Sequence, residues 1–351
     1  MSGLSTPLVI VLFAAAAAAT WVAGITLSST TDELDHRLRL GDAVGGMVLL
    51  AVAGSLPEIA ITVTAAAAGN LGLAAGNLIG GIAVQTMVLV VCDAAASRDE
   101  PLTYLVGSLV PVLEGLTVIL VVGEVLLGAL LPARDALGPV SPGSIAVVVT
   151  WLASLVVLNR VQRSPRWRLV MPGARPGRPH RRVRRPHHAH PHGERRTAVV
   201  AAIFLGGCAV TLAGGVVLES GGSVLAGRAG IGGVVFGATV LALATALPEI
   251  SSGVAAVRAG DHQLATGDIF GGNAFQVCLF LLADLVAGRP VLPTAGILNS
   301  WLGALGILLT AIYVAGVIVR PDRCWLRLGI DSMLAICAFV LGVAGLAALP
   351  T

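Results

Sequence analysis

The chain has 351 residues, 56% of them hydrophobic and only 12% charged, with a mean hydropathy of +0.90 and a formal net charge of +3. Soluble domains carry about 25% charged residues, so these values exclude one and describe an integral membrane protein. Its 44 glycines, set against 4% aromatics, favour an all-α polytopic bundle over a barrel, because small residues let helix backbones approach where lipid supplies no hydrophobic drive.

Apolar runs long enough to cross about 30 Å of hydrocarbon predict ten transmembrane helices. They cover residues 7–28, 41–68, 72–97, 103–131, 142–160, 197–219, 230–258, 263–288, 295–319 and 326–349. The first lacks the basic flank of a cleaved leader and is expected to remain as a span. Cys92, Cys208, Cys278, Cys324 and Cys337 fall singly within apolar runs. They read as small core hydrophobes without pairing or metal spacing.

Between the fifth and sixth spans, Arg160 to Arg196 holds 12 of the chain's 22 arginines, together with His180, His187, His188, His190 and His192. Such a segment cannot bury enough apolar surface to offset its ordering entropy, so a mostly disordered tether near anionic lipid is expected. It divides the chain into residues 1–160, a loop at 161–196, and residues 197–351, with five predicted helices in each half. If this loop is cytoplasmic, as the positive-inside rule requires, the loops bearing Arg37, Arg39, Arg98, Arg258, Arg320, Arg323 and Arg327 are too. Only Arg134, Arg228 and Arg289 then lie outside, and both termini are outside the cell (inner) membrane.

The two halves are copies. Sliding the sequence by 191 positions places Gly54-Ser55-Leu56-Pro57-Glu58-Ile59 on Thr245-Ala246-Leu247-Pro248-Glu249-Ile250. The same offset, with no gap, places Gly76 on Gly267, Asn77 on Asp268, Gly80-Gly81 on Gly271-Gly272, Gln85 on Gln276 and Asp93 on Asp284. Five helices is an odd number, so the copies enter the membrane in opposite directions. Such an inverted five-plus-five repeat brings Glu58 and Glu249 together near the midplane, where secondary transporters hold their substrates.

Pro57 and Pro248 lack an N–H and clash with the preceding turn, so they are expected to break their helices and free the carbonyls of Ala53 and Ala244. A desolvated cation can satisfy such oxygens, and two carboxylates with several neutral oxygens suit Ca²⁺. Gly76, Gly80, Gly81, Gly267, Gly271 and Gly272 form smooth stripes for close helix packing. Gln85 and Gln276, four residues after Gly81 and Gly272, share that face and can present their amide oxygens to the glutamates.

A structural role competes with each of these readings. A buried acid costs about 2.5–3.5 kcal/mol on insertion scales, and two kept at one place in two repeats point to function. For the glutamines the competing role is an interhelical hydrogen bond, and for the glycines it is packing alone. Glu114 and Glu124 have no acidic counterpart 191 residues on, and Asp93 and Asp284 sit near helix ends, so these are weaker candidates.

These motifs resemble the two alpha-repeats of the calcium/cation antiporter superfamily, which includes the sodium/calcium and proton/calcium exchangers. The first half of each repeat there reads Gly-Thr/Ser-Ser-x-Pro-Glu/Asp and the second Gly-Asn/Asp-x-x-Gly-Ser-Asn-x-x-Asn/Asp. The resemblance implies that Glu58 and Glu249 are the Ca²⁺ carboxylates, and that Ser55 and Thr245 supply hydroxyls or flank exposed carbonyls. It also implies that the first and sixth helices slide across a fixed eight-helix core. This chain departs from the pattern at Gly81 and Gly272, at Gln85 and Gln276, and at Gly54 and Ala246. The missing hydroxyls are among those that sodium-coupled members use, whereas a divalent site on two glutamates survives.

The expected function is secondary active antiport, exporting Ca²⁺ by alternating access in exchange for H⁺ or Na⁺. One Ca²⁺ or two protons would neutralise the glutamate pair, which favours H⁺. The alternatives are a passive divalent cation channel and strictly Na⁺-coupled exchange. No Ser/His/Asp, Cys/His or metal-hydrolase spacing is present, so neither an enzyme nor a cofactor is expected. The anticipated partners are membrane lipid and inorganic cations, with no nucleic acid, and the chain is expected to act as a monomer.

Overall fold

A computed structural model describes residues 1–38, 51–96, 100–163, 197–347 and 349. The start of the second predicted span and nearly all of the Arg/His segment, with its expected disorder, lie outside the described residues.

In the first half, α1 is Thr6–Leu38, α2 is Leu56–Ala67, α3 is Leu71–Ala96, α4 is Val110–Ala129 and α5 is Pro142–Arg163. In the second, α6 is Thr197–Ala229, α7 is Gly233–Thr245, α8 is Leu247–Arg258 and α9 is His262–Gln276. Then come α10 at Leu279–Ala287, α11 at Gly296–Val319 and α12 at Ile330–Ala347. Every predicted span contains a helix. Seven helical stretches are long and apolar enough to cross a membrane, and the bent α7–α8 pair makes eight. The described part of α2 and α12 are apolar but shorter, so length alone supports seven to eight crossings rather than ten. Helices α1 and α6 outrun their predicted spans by about three turns, because hydropathy marks the part that crosses hydrocarbon and not where a helix stops.

The 191-residue offset sets the backbone as well as the motif. Added to the bounds of α1, α2 and α3, it gives Thr197–Ala229, Leu247–Arg258 and His262–Ala287, which are α6, α8 and the stretch from α9 through α10. The turns match too. Gly69 at φ 75° and Gly260 at φ 82° end α2 and α8 in the left-handed conformation that glycine adopts without strain. Behind them the Asn70 N–H donates to Ala65 O at 2.8 Å and the Asp261 N–H to Ala256 O at 2.9 Å, closing equivalent helix ends.

Equivalent helices run antiparallel. Arg228, at the end of α6, donates to Thr6 Oγ1 at 3.0 Å, Ser2 O at 2.9 Å and Leu4 O at 2.6 Å, at the start of α1. Nearer its own start, α6 turns Gly214 toward Thr20 and Gly207 toward Leu27, where an added Cβ would lie 3.0 Å from Leu27 Cγ. In the same way, Gln276 of α9 reaches Asn77 and Leu78 of α3 while Asn273 reaches Thr86. At the centre, α7 crosses α3 at Gly76 and Gly80: a Cβ on Gly76 would stand 2.8 Å from Val234 Cα, and one on Gly80 would run into Ala238. Missing side chains here let two backbones touch, as lipid-embedded helices require.

Asp93 and Asp284 tie the halves together. The Asp93 carboxylate accepts from Leu102 N–H at 2.6 Å, Gly329 N–H at 2.8 Å and Ser332 Oγ at 2.6 Å. Asp284 accepts from Val291 N–H at 2.6 Å, Ser141 N–H at 2.9 Å and Ser144 Oγ at 2.7 Å. Each acid therefore binds one loop of its own half and the start of the other half's last helix, α12 or α5. Both are almost fully buried, and their hydrogen bonds replace the water they lost.

Candidate cation site

Pro57 and Pro248 stand at the start of a helix, where an absent N–H is harmless. The chain breaks just before each. Ser55 interrupts the helical residues 51–54 and α2, and α7 meets α8 at 44°. Glu58 and Glu249 thus fall in the first turn of a half-helix, whose unbonded N–H groups favour an anion.

A cavity at the two breaks offers about 50 Å³ of water-accessible room. That space holds a few waters or a partly dehydrated ion and is far too small for an organic substrate. Ala53, Ser55 and Pro57 line it from the first break, and Pro248, Glu249 and Ser252 from the second. Gln85 of α3, Asp268 and Gly272 of α9, Ser28 of α1 and Thr211 of α6 complete its polar wall and rim.

Glu58 lies just behind this wall, 1% exposed, and accepts a hydrogen bond on Oε1 from Gln85 Nε2 at 3.4 Å. Its Oε2 has no partner among the described residues. Thr245 of the other half faces the same carboxylate, its hydroxyl 3.2 Å from Ala242 O. Glu249 is on the wall itself, with Oε2 likewise buried and unpartnered among the described residues. The two glutamates are within electrostatic reach of each other, and Glu249 is also within reach of Asp268. Buried like charges are costly unless a cation or protons neutralise them.

Asp268 is the cavity acid that the Ca²⁺ ligand set read from the sequence left out. It stands where the first half has Asn77, and that replacement of an amide by an acid was the available signal. Ser252 bridges it to the second break, with Oγ 3.3 Å from Glu249 O and 3.4 Å from Asp268 Oδ2. Ser252, Thr211 and Ser28 carried no sequence signal beyond their polarity. Among the described residues no three His, Cys, Asp or Glu side chains converge into a metal cluster.

The remaining predicted residues take other places. Gln276 is fully buried away from the cavity, its Nε2 donating to Leu78 O at 2.8 Å and Asn77 O at 3.2 Å, and it packs on Gly81. An amide pointed at another helix's backbone stitches the halves together, so the expected symmetry with Gln85 breaks down. Ala244 packs in the apolar cluster with Leu218 and Leu241 and does not line the cavity as Ala53 does. Gly76 and Gly80 perform the expected packing against α7. Gly267 instead makes room for Glu114, whose Oε2 would be 2.8 Å from a Cβ there, and Gly271 and Gly272 face no described neighbour within 4 Å.

The model of the family described as sodium/calcium exchanger protein matches residues 8–159 and 199–346. The Escherichia coli (strain K12) inner membrane protein YrbG is 36% identical over 74 residues, 21% of each chain. CaxA of Alkalimonas amylolytica is 28% identical over 260 residues, 74% of this chain and 73% of that one. Among solved structures, the H⁺/Ca²⁺ exchanger CAX superposes with a TM-score of 0.67 at 14% identity, covering 98% of this chain and 82% of its own. The sodium-calcium exchanger NCX_Mj does so with a TM-score of 0.59 at 15% identity, covering 99% and 100%. At these identities the structures attest the fold, while the family model spans both halves with the Pro-Glu breaks inside its matched regions. The chain is a multi-pass membrane protein of the sodium/calcium exchanger family.

Proposed function

We propose that the protein is a secondary active Ca²⁺/cation antiporter that exports Ca²⁺ by alternating access through ten crossings arranged as an inverted repeat. The observation that carries this reading is the ion-sized cavity at the paired Pro-Glu breaks, walled by Glu249 and Asp268 and backed by Glu58. Glu58, Glu249 and Asp268 supply charge. Gln85, Ser55, Thr245, Ser252 and the Ala53 carbonyl supply neutral oxygens that replace the ion's water. The cavity reaches toward the end of the bundle that holds the α8–α9 turn and Arg258, which positive-inside reasoning places in the cytoplasm, with both termini outside.

Exchange for H⁺ is the coupling this residue set favours. Two protons on the Glu58–Glu249 pair carry the same charge as one Ca²⁺ and need no further ligand. The positions at Gly54, Gly81, Ala246 and Gly272 carry no hydroxyl with which to build separate Na⁺ sites.

Reconstituted protein should take up Ca²⁺ into liposomes when only a pH gradient is imposed. Uptake that requires a Na⁺ gradient would replace H⁺ by Na⁺ as the counter-ion. A Ca²⁺ current that flows with no counter-ion would refute antiport in favour of a channel.

A further inference from the structure

Glu219 is an acid in the last third of α6 that the cation site does not use. It is 2% exposed, and its Oε1 accepts a hydrogen bond at 2.9 Å from Asn70 Nδ2, which also lies 3.3 Å from Ser223 Oγ. Ser220 Oγ donates to its other oxygen at 3.3 Å. Asn70 is the residue at which the α2–α3 turn enters α3. The contact therefore joins α6 to the core at one end of the bundle.

The 191-residue relation supplies an internal control. The positions equivalent to Glu219 and Asn70 are Ser28 and Asp261, at the opposite end. No hydrogen bond joins that pair among the described residues: Asp261 caps α9 by accepting from Leu264 N–H at 2.9 Å, and Ser28 lines the cavity. Leu27, Ser252, Asp268 and Ile269 line it too. Leu27 and Ile269 are only 1% exposed, so the contrast lies in the polar pair: Ser252 and Asp268 are partly exposed, whereas their counterparts at the Asn70 end, Ile61 and Asn77, are both 0% exposed. One end is thus shut where the polar contact exists, and the cavity extends toward the end where it does not.

We propose that the Glu219–Asn70 hydrogen bond is a latch that holds α6 against the α2–α3 turn and so selects the state in which the cation site faces the other side of the membrane. Both residues are positioning residues. They act by deciding which face reaches Glu58 and Glu249, not by touching the ion. A buried carboxylate deprived of its donor disfavours the shut arrangement and shifts the population toward opening at this end. Among the described residues the equivalent positions, Ser28 and Asp261, form no such contact, and the bond that does join α1 to α8, Trp21 Nε1 to Ser251 Oγ at 2.6 Å, lies nearer the break than the α8–α9 turn, so the two ends are not latched in the same way.

The inference rests on the proposed alternation of access, and its test does not depend on transport. In a background lacking the native cysteines, single reporters at Ile61→Cys and Ser252→Cys are labelled in proteoliposomes with a membrane-impermeant maleimide, each from its own face. Asn70→Ala should raise labelling at position 61 at least about tenfold, the factor a hydrogen bond to a charged group carries, and lower labelling at position 252. Glu219→Gln keeps the shape and the acceptor, guards against misfolding of the first variant, and should move both reporters the same way by less. A rise at both reporters would mean general loosening and would overturn the latch, as would no change at either. Loss of Ca²⁺/H⁺ exchange in the unmodified protein would refute the antiport reading and leave the labelling result to judge the latch by itself.

Discussion

Asn77 and Asp268 hold the same place in the two halves, yet Asn77 is 0% exposed while Asp268 lines the cavity. The two glutamines differ in the same manner: Gln85 serves Glu58, whereas Gln276 serves the backbone of α3. A duplicated sequence folded into antiparallel copies could have produced a symmetric site with a symmetric vestibule. The comparison teaches that the repeat fixes the frame, namely helix bounds, breaks and turns, while a few unlike side chains decide which half carries charge into the vestibule and which half closes it.

The most severe way to break the comparison is at the glutamates, the residues most alike in the two halves. Glu58→Gln and Glu249→Gln should each lower Ca²⁺ flux in liposomes more than about a hundredfold, because a carboxylate acting on a divalent ion in low dielectric is worth several kcal/mol. Both variants should still reach the membrane as monodisperse protein; near-normal flux in either would remove that residue from the site.

Next come the ties between halves. Asp93→Ala and Asp284→Ala each leave buried donors without an acceptor, and each should cost about 3 kcal/mol or more of stability in thermal or denaturant unfolding. Comparable losses would show the two ties to be equivalent, and a loss confined to one would make the halves unequal here as well.

At Asp268 the comparison can be sharpened. Asp268→Asn makes the second half read as the first and should weaken Ca²⁺ binding about tenfold in calorimetric titration. Unchanged affinity would show that Asp268 lines the cavity without serving the ion.

The glutamines should show the smallest effects. Gln85→Ala should weaken ion binding a fewfold with little thermal cost, while Gln276→Ala should lower stability by about 1 kcal/mol and act on binding less. The reverse pattern would restore the symmetric ligand set read from the sequence.

Much of this was legible in the chain itself. The Pro-Glu repeats located both breaks, and of the glycines read as packing stripes Gly76 and Gly80 do meet α7 while Gly271 and Gly272 pack on no described neighbour; the paired turns at Gly69 and Gly260 obey the same offset but were not singled out by the sequence. What escaped depended on contacts between distant segments. Asp93 and Asp284 read as helix-end acids because their partners in α12 and α5 lie 239 and 140 residues away at Ser332 and Ser144. Glu219 was a single acid in an apolar run without an acidic counterpart, and only the bundle shows that Asn70 meets it. The uneven fate of Gln85 and Gln276 depends on helix rotation, which hydropathy and spacing leave free.

The exchange of ties between halves also bears on biosynthesis. Asp93 is synthesised well before two of its three hydrogen-bond donors, at Gly329 and Ser332, which emerge from the ribosome only with α12. Until then a carboxylate destined for burial lacks two of its three donors, and the first half stays incomplete however well its own helices pack. A chain cut before Gly329 would keep only the Leu102 N–H of the three donors on that acid, so the first half reaches its finished hydrogen bonding only when α12 has been made.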